Sequence, residues 1–173
     1  MLEDKGAARF FNCIFKALNL HWVRNRKLVP LKGESDITEI LKRITGAVDV
    51  IGVYDGDQRG KIGEKIGEHN VYLLPGSAAP EIILIDHIKQ NPNEFAERIN
   101  IGVRDVKAAF RKLKAVDHHD FFGELSAQLK YDSSNEHGGN KLFEDAFRMW
   151  LSVEENKNSS IEFISKLDSS FEP

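Results

Sequence analysis

Apolar residues recur at three- and four-residue intervals through Ala7, Phe11, Ile14, Phe15 and Leu18, which predicts an amphipathic helix over residues 7–20. Residues 27–31 read as a short strand, and Pro30, with no N–H to donate, places it near an edge. Gly33 breaks it. A second helix follows, with Asp36 as cap, Glu39 completing a capping-box-like pair, and Ile37, Ile40, Leu41 and Ile44 on its buried face. Residues 48–54 carry a nearly continuous β-branched run, the mark of a strand covered on both faces. Residues 58–68 read as a glycine-bearing loop with a weak helical turn, and 71–74 as another buried strand, stopped by Pro75-Gly76. Pro80 suits the first turn of the next helix.

Strand and helix alternate up to about residue 90, an order that predicts an α/β unit with a mainly parallel sheet of about four strands. Beyond residue 100 the strand signal disappears. Helices are expected near 102–115, 118–130, 139–152 and 160–168, with a Ser-, Asn- and Gly-rich loop over 132–140. The expected organisation is an α/β domain over 1–100 and an all-helical extension over 101–173.

Composition narrows the class. The chain has 173 residues, 41% hydrophobic and 29% charged, which supplies material for a real core and argues against disorder. No apolar run approaches the roughly 18 residues of a membrane span, and the acidic start has no apolar signal segment. Cys13 is the one cysteine, so neither an internal disulfide nor a cysteine-based zinc site is available, and it reads as a small buried hydrophobe. A cytoplasmic location is the simplest expectation. The net charge of −3 argues against a strongly basic nucleic-acid coat protein, yet the charge is uneven. Arg104, Lys107, Arg111 and Lys114 fall on one helical stripe, opposite Val103, Val106, Phe110 and Leu113. Such a stripe suits DNA phosphates, or is the solvated face of an amphipathic helix.

Candidate chemistry begins at Asp55-Gly56-Asp57, where the clearest strand ends. Ligands of open α/β sheets bind at the carboxyl ends of strands, and two carboxylates there can converge on a hard cation such as Mg²⁺ or Mn²⁺. Acidic turns after strands are also common without a metal. Glu3 precedes the first helix, and in a parallel sheet it emerges on the same edge as Asp55. Three carboxylates held together repel unless a cation neutralises them.

Leu2-Glu3-Asp4-Lys5-Gly6, an apolar helix, and a strand leading into Asp55-Gly56-Asp57 together resemble a Toprim domain. Pro30-Leu31-Lys32-Gly33, Leu73-Leu74-Pro75-Gly76 with Ala79-Pro80-Glu81, and a helical tail with Asp117-His118-His119-Asp120 and Trp150 are similar to the OLD-family (overcoming lysogenization defect) endonucleases. The Toprim resemblance spans about residues 1–100, and the tail resemblance is looser. It implies a metal-dependent DNA endonuclease of the kind that serves phage defence, with Glu3, Asp55 and Asp57 as catalytic metal ligands and Glu81 as a further ligand. One or two Mg²⁺ or Mn²⁺ ions would be held. A charge-stabilising lysine is implied as well, with Lys141, Lys112 and Lys114 as candidates.

The chain departs from the pattern in two ways. Only Met1 and Leu2 precede Glu3, where Toprim domains place a full apolar strand, so the first strand reads as clipped or very short. No phosphate-binding Gly-x-x-x-x-Gly-Lys-Ser/Thr loop is present, so the implied partners are DNA and an ATPase domain or subunit elsewhere, within a homo-oligomeric assembly. The short start also favours a second reading, a non-cleaving regulatory or assembly module with a degenerate site that binds metal or nucleic acid.

Asp117-His118-His119-Asp120 reads either as a transition-metal site or as a helix start capped by Asp117, since adjacent histidines on a helix point about 100° apart. Trp22 and Trp150 read as core or interface anchors, and Gly60, Gly63 and Gly67 as loop flexibility near the acids.

Overall fold

The computed structural model describes residues 1–18, 27–44, 50–62, 71–132 and 135–169. Residues 48 and 49, Trp22, Gly63, Gly67 and the side chain of Ile44 fall outside that description. The protein is α/β and mostly helical, and it forms two compact units. One comprises Met1–Pro80 together with Glu154–Pro173, and the other Glu81–Val153. Residue 100 lies inside the second.

In the first unit, α1 (Lys5–Ala17) starts earlier than the apolar period alone suggests, because Asp4 caps it by accepting from Ala7 N–H at 2.8 Å. Its buried face includes Phe10, Phe11, Ile14 and Phe15, each of which contributes roughly 1.5–3 kcal/mol by leaving water. Helix α2 (Glu34–Ile44) begins two residues before its expected cap. Asp36 instead lies inside the first turn and reaches back to accept from Lys32 N–H at 3.3 Å, one residue before the helix's N-cap position. Ile37 and Leu41 are buried, and a Cβ at Gly52 would lie 2.8 Å from Ile37 Cγ2, so glycine lets the helix press onto the strand.

Strands β1 (Gly52–Tyr54) and β2 (Val71–Leu73) pair in parallel, Val53 opposite Tyr72. They are the two full strands among the described residues. The other two expected strands appear only as single parallel bridges, Leu2 with Pro30 and Leu2 with Val53. Proline explains part of this, since residue 30 cannot donate to a ladder, and Leu31 N–H makes the bond to Leu2 O at 2.9 Å instead. A 3₁₀ turn (Gly56–Gln58) and the short helix α3 (Arg59–Ile62) follow β1. Helix α9 (Glu154–Ser169) begins earlier than expected, with Glu154 and Glu155 complementing its N-terminal dipole, and sets Phe163 edge-on to Phe11 at 6.0 Å.

The second unit is all helical among its described residues. Helix α4 (Pro80–Gln90) leads to α5 (Pro92–Arg98), an unexpected helix whose start carries proline at its first position. Then come α6 (Val103–Lys112), α7 (Phe121–Leu129) and α8 (Asn135–Leu151). The expected 132–140 loop is largely the first turns of α8. Its glycines, which read as breakers, are helix-contact residues. A Cβ on Gly139 would stand 3.0 Å from Gly123 N, and one on Gly138 would stand 2.0 Å from Ser126 Oγ. Close approach of α7 and α8 thus outweighs poor helix propensity. Aromatic rings fill the unit, with Phe110 near both Phe95 and Phe121, and Phe122 edge-on to Phe143 at 5.2 Å. Trp150 is buried beside Phe147, and in the first unit Cys13 is buried on α1. No helix among the described residues is long and apolar enough to cross a membrane.

Candidate functional site

The site in the first unit is assembled around Leu2. Its N–H donates to Val29 O at 3.0 Å and its carbonyl accepts from Leu31 N–H, while Met1 O accepts from Val53 N–H at 2.9 Å. Leu2 itself is buried. This short parallel pairing brings Glu3 level with the end of β1. There the backbone N–H of Asp55 donates to Glu3 Oε2 at 3.0 Å, across 52 positions of sequence. The structure therefore joins the two acidic positions that sequence reading placed on one edge, although the strand before Glu3 is reduced to a bridge.

Asp55 is buried, at 5% exposure, whereas Asp57 is exposed. Asp55 stands at the start of the 3₁₀ turn and its side chain does not cap it, so turn formation does not account for the carboxylate. Asp57 Oδ1 accepts from Gln58 Nε2 at 3.2 Å, and Gln58 Oε1 is buried with no hydrogen bond among the described residues. Gly56 has a stricter role than separating two acids. A Cβ there would lie 2.3 Å from Gly76 O and 3.2 Å from Ser77 N, so the acidic turn rests directly on the turn that follows β2. Gly76 itself holds φ at 105°, a conformation that favours glycine.

Burial pushes the Glu3 carboxyl above its ordinary range. The Asp55 N–H opposes that rise, while the negative charges of Asp57, Glu34 and Asp4 add to it. Glu34, at the start of α2, was not singled out from sequence. Lys61 Nζ meets both its oxygens at 3.2 Å. Nothing in the local sequence links Glu34 to Glu3; their proximity is purely tertiary. Lys61 could have been noticed from its place four residues after Asp57.

The donor set of Glu3, Asp55 and Asp57 is all oxygen and all anionic. By donor type it suits a hard divalent cation such as Mg²⁺ or Mn²⁺, whose charge would offset the burial and repulsion raising Glu3, but among the described residues the three-ligand group with atoms within 4.8 Å of one another is Asp117, His118 and His119.

The other expected site residues lie in the second unit. Glu81 is buried in the first turn of α4, with its Oε1 3.9 Å from His119 Nδ1. Arg104, Lys107 and Arg111 form an exposed face of α6, opposite buried Val106 and Phe110, and Lys114 is exposed just past the helix end. Lys112 Nζ donates to Gln128 Oε1 at 3.3 Å, and Lys141 Nζ lies 5.2 Å from the centre of the Tyr131 ring. The helix expected to start at the histidine pair starts at Phe121 instead. Asp117 Oδ1 accepts from His119 N–H at 2.9 Å, forming a turn that precedes the helix rather than its cap.

No family model, no curated protein and no solved structure matches the chain.

Proposed function

We propose that the chain is a nuclease domain of the Toprim type, related to the OLD-family endonucleases, that hydrolyses phosphodiester bonds in DNA with Mg²⁺ or Mn²⁺ held by Glu3, Asp55 and Asp57. The observation that carries this reading is the hydrogen bond from the backbone N–H of Asp55 to Glu3 Oε2, which brings the Glu3 carboxylate to the end of β1, where Asp55 and Asp57 follow. The charges of Asp57 and Glu34 oppose that of Glu3, and a cation held among them would offset this repulsion.

A bound divalent ion supplies electrostatic stabilisation of the phosphoryl oxygens and activation of water. The chain's own residues do the positioning. Asp55 is fixed by burial, and its backbone orients Glu3. Asp57, being exposed, is open to an incoming substrate. Lys61, beside Glu34, supplies positive charge in the same unit, whereas Lys112, Lys114 and Lys141 belong to the other. The Arg104, Lys107 and Arg111 face offers sequence-independent attraction for a phosphate backbone. An ATPase domain or subunit remains the expected partner for regulated cleavage.

Cleavage of supercoiled plasmid by the purified chain, in Mg²⁺, Mn²⁺ or EDTA, tests the proposal. Metal-dependent nicking lost in Asp55→Ala is the expected result. If neither the chain alone nor the chain with its ATPase partner nicks DNA, while metal still binds, the domain is a non-cleaving module.

A further inference from the structure

The second unit carries a different set of donors. The Asp117 carboxylate and the His118 and His119 imidazoles each offer an atom lying within 4.8 Å of the other two. On a helix, neighbouring histidines would diverge by about 100° and could not share an ion. Here they stand on the turn before α7, and their rings lie 4.0 Å apart between centres, inclined by 38°. The turn is set by Asp117 Oδ1, which accepts from His119 N–H and lies 3.6 Å from His118 Nδ1. Behind it, from a separate helix, comes Glu81. Its side chain is 6% exposed and its Oε1 is 3.9 Å from His119 Nδ1.

We propose that Asp117, His118 and His119 form a binding site for a divalent transition-metal ion of the Zn²⁺ class, with Glu81 as the residue that positions His119. The two imidazoles are borderline donors, and joined to one carboxylate they suit Zn²⁺, Co²⁺ or Ni²⁺ better than Mg²⁺, which prefers oxygen ligands throughout. In a tetrahedral zinc site, ligand atoms are about 3.3 Å apart, given bonds of about 2.0–2.1 Å. Small rotations of these surface side chains close the difference. With Nδ1 of His119 turned to Glu81, its Nε2 is left to bind the ion. A carboxylate behind a metal-binding histidine fixes the ring and raises its basicity. Three protein ligands leave a position open to water or an incoming anion, the arrangement of exchangeable rather than closed zinc sites. The site is independent of the acidic cluster in the first unit, both in its residues and in the kind of ion it selects.

The test uses the full chain, stripped with EDTA and titrated with Co²⁺ by visible absorption and with Zn²⁺ by calorimetry. One Zn²⁺ per chain is expected, undisturbed by excess Mg²⁺. His118→Ala and His119→Ala should each weaken Zn²⁺ binding at least tenfold, and Glu81→Gln by about 10- to 100-fold. Asp57→Ala should leave it unchanged. Circular dichroism in EDTA establishes that each variant is folded. In the wild-type chain, Zn²⁺ should also protect both histidines from acylation by diethyl pyrocarbonate, read by mass spectrometry, which requires no variant. Wild-type affinity in His118→Ala, displacement by Mg²⁺, or acylation indifferent to Zn²⁺ would overturn the proposal.

Discussion

Gly56→Ala probes the acidic turn more finely than removing an acid. The new Cβ would lie 2.3 Å from Gly76 O, and contacts under 3.0 Å essentially never occur, so the two turns must part by at least about 0.7 Å. The obstructing atom is backbone, on a turn whose Gly76 already holds φ at 105°, so no side-chain rotation relieves it. Overpacking of this kind costs on the order of 1–3 kcal/mol. The displaced peptides carry Asp55 and Asp57, and the Asp55 N–H also holds Glu3. Misplacement near 1 Å costs roughly 100-fold in a positioned reaction. Gly56→Ala should therefore lower the urea midpoint and weaken Mn²⁺ binding, and should reduce nicking far more than its stability loss explains. Gly60→Ala is the control: nothing lies within 4 Å of its Cβ, and on a short helix it should be neutral or slightly stabilising. A Gly56→Ala protein with wild-type stability and metal affinity would refute the contact between the two turns.

Three further outcomes are expected. Phe147→Ala, at a side chain 1% exposed beside Trp150, should lose about 3–5 kcal/mol in denaturant unfolding, and a loss under 1 kcal/mol would mean that the α8 core is not packed as described. Reversing Arg104, Lys107 and Arg111 to Glu should leave the melting temperature nearly unchanged and weaken DNA binding, with the log–log salt slope shallower by about 3; an unchanged slope removes this face from the DNA path. Burial lowers the His87 pKa below its ordinary 6.5, against the opposing charge of Glu94 and a hydrogen bond to Met149. The unfolded chain then binds the proton more readily, so this contribution is complete above pH 6.5 and declines as pH falls towards the lowered native value. His87→Gln should flatten stability against pH in that window, and an unaltered slope there would sink the assignment.

Periodicity made α1, α6 and both strands legible, because each buries a face whose spacing is written locally. The acidic pair was legible for a related reason: once Glu3 and Asp55 are placed at ends of parallel segments, topology brings them together. What escaped was information carried by other parts of the chain. Gly138 and Gly139 read as a loop until α7 presents Gly123 and Ser126 to them. Asp36 and Asp117 both read as caps from residue type, yet Asp36 bonds the N–H of Lys32 ahead of the helix, and Asp117 bonds the His119 N–H as a cap would but in a turn that becomes helical only at Phe121. Pro92 is itself a helix-start signal, and Asn91 Nδ2 turns back to His87 O at 3.0 Å, closing α4 as α5 begins. Glu34 and Lys61 belong to separate helices, so only the folded chain shows them as a pair.

The return of α9 to the first unit fixes an order of events during synthesis. Everything the second unit needs lies in one continuous stretch, Glu81–Val153, which is complete as soon as it clears the ribosome. The first unit begins earlier yet finishes later. Phe11 waits for Phe163, and until α9 arrives its apolar surface stays open to solvent or to a chaperone. A released chain truncated after Val153 should thus be cut by protease in its first unit before its second, because the face of Phe11 that Phe163 covers is left bare.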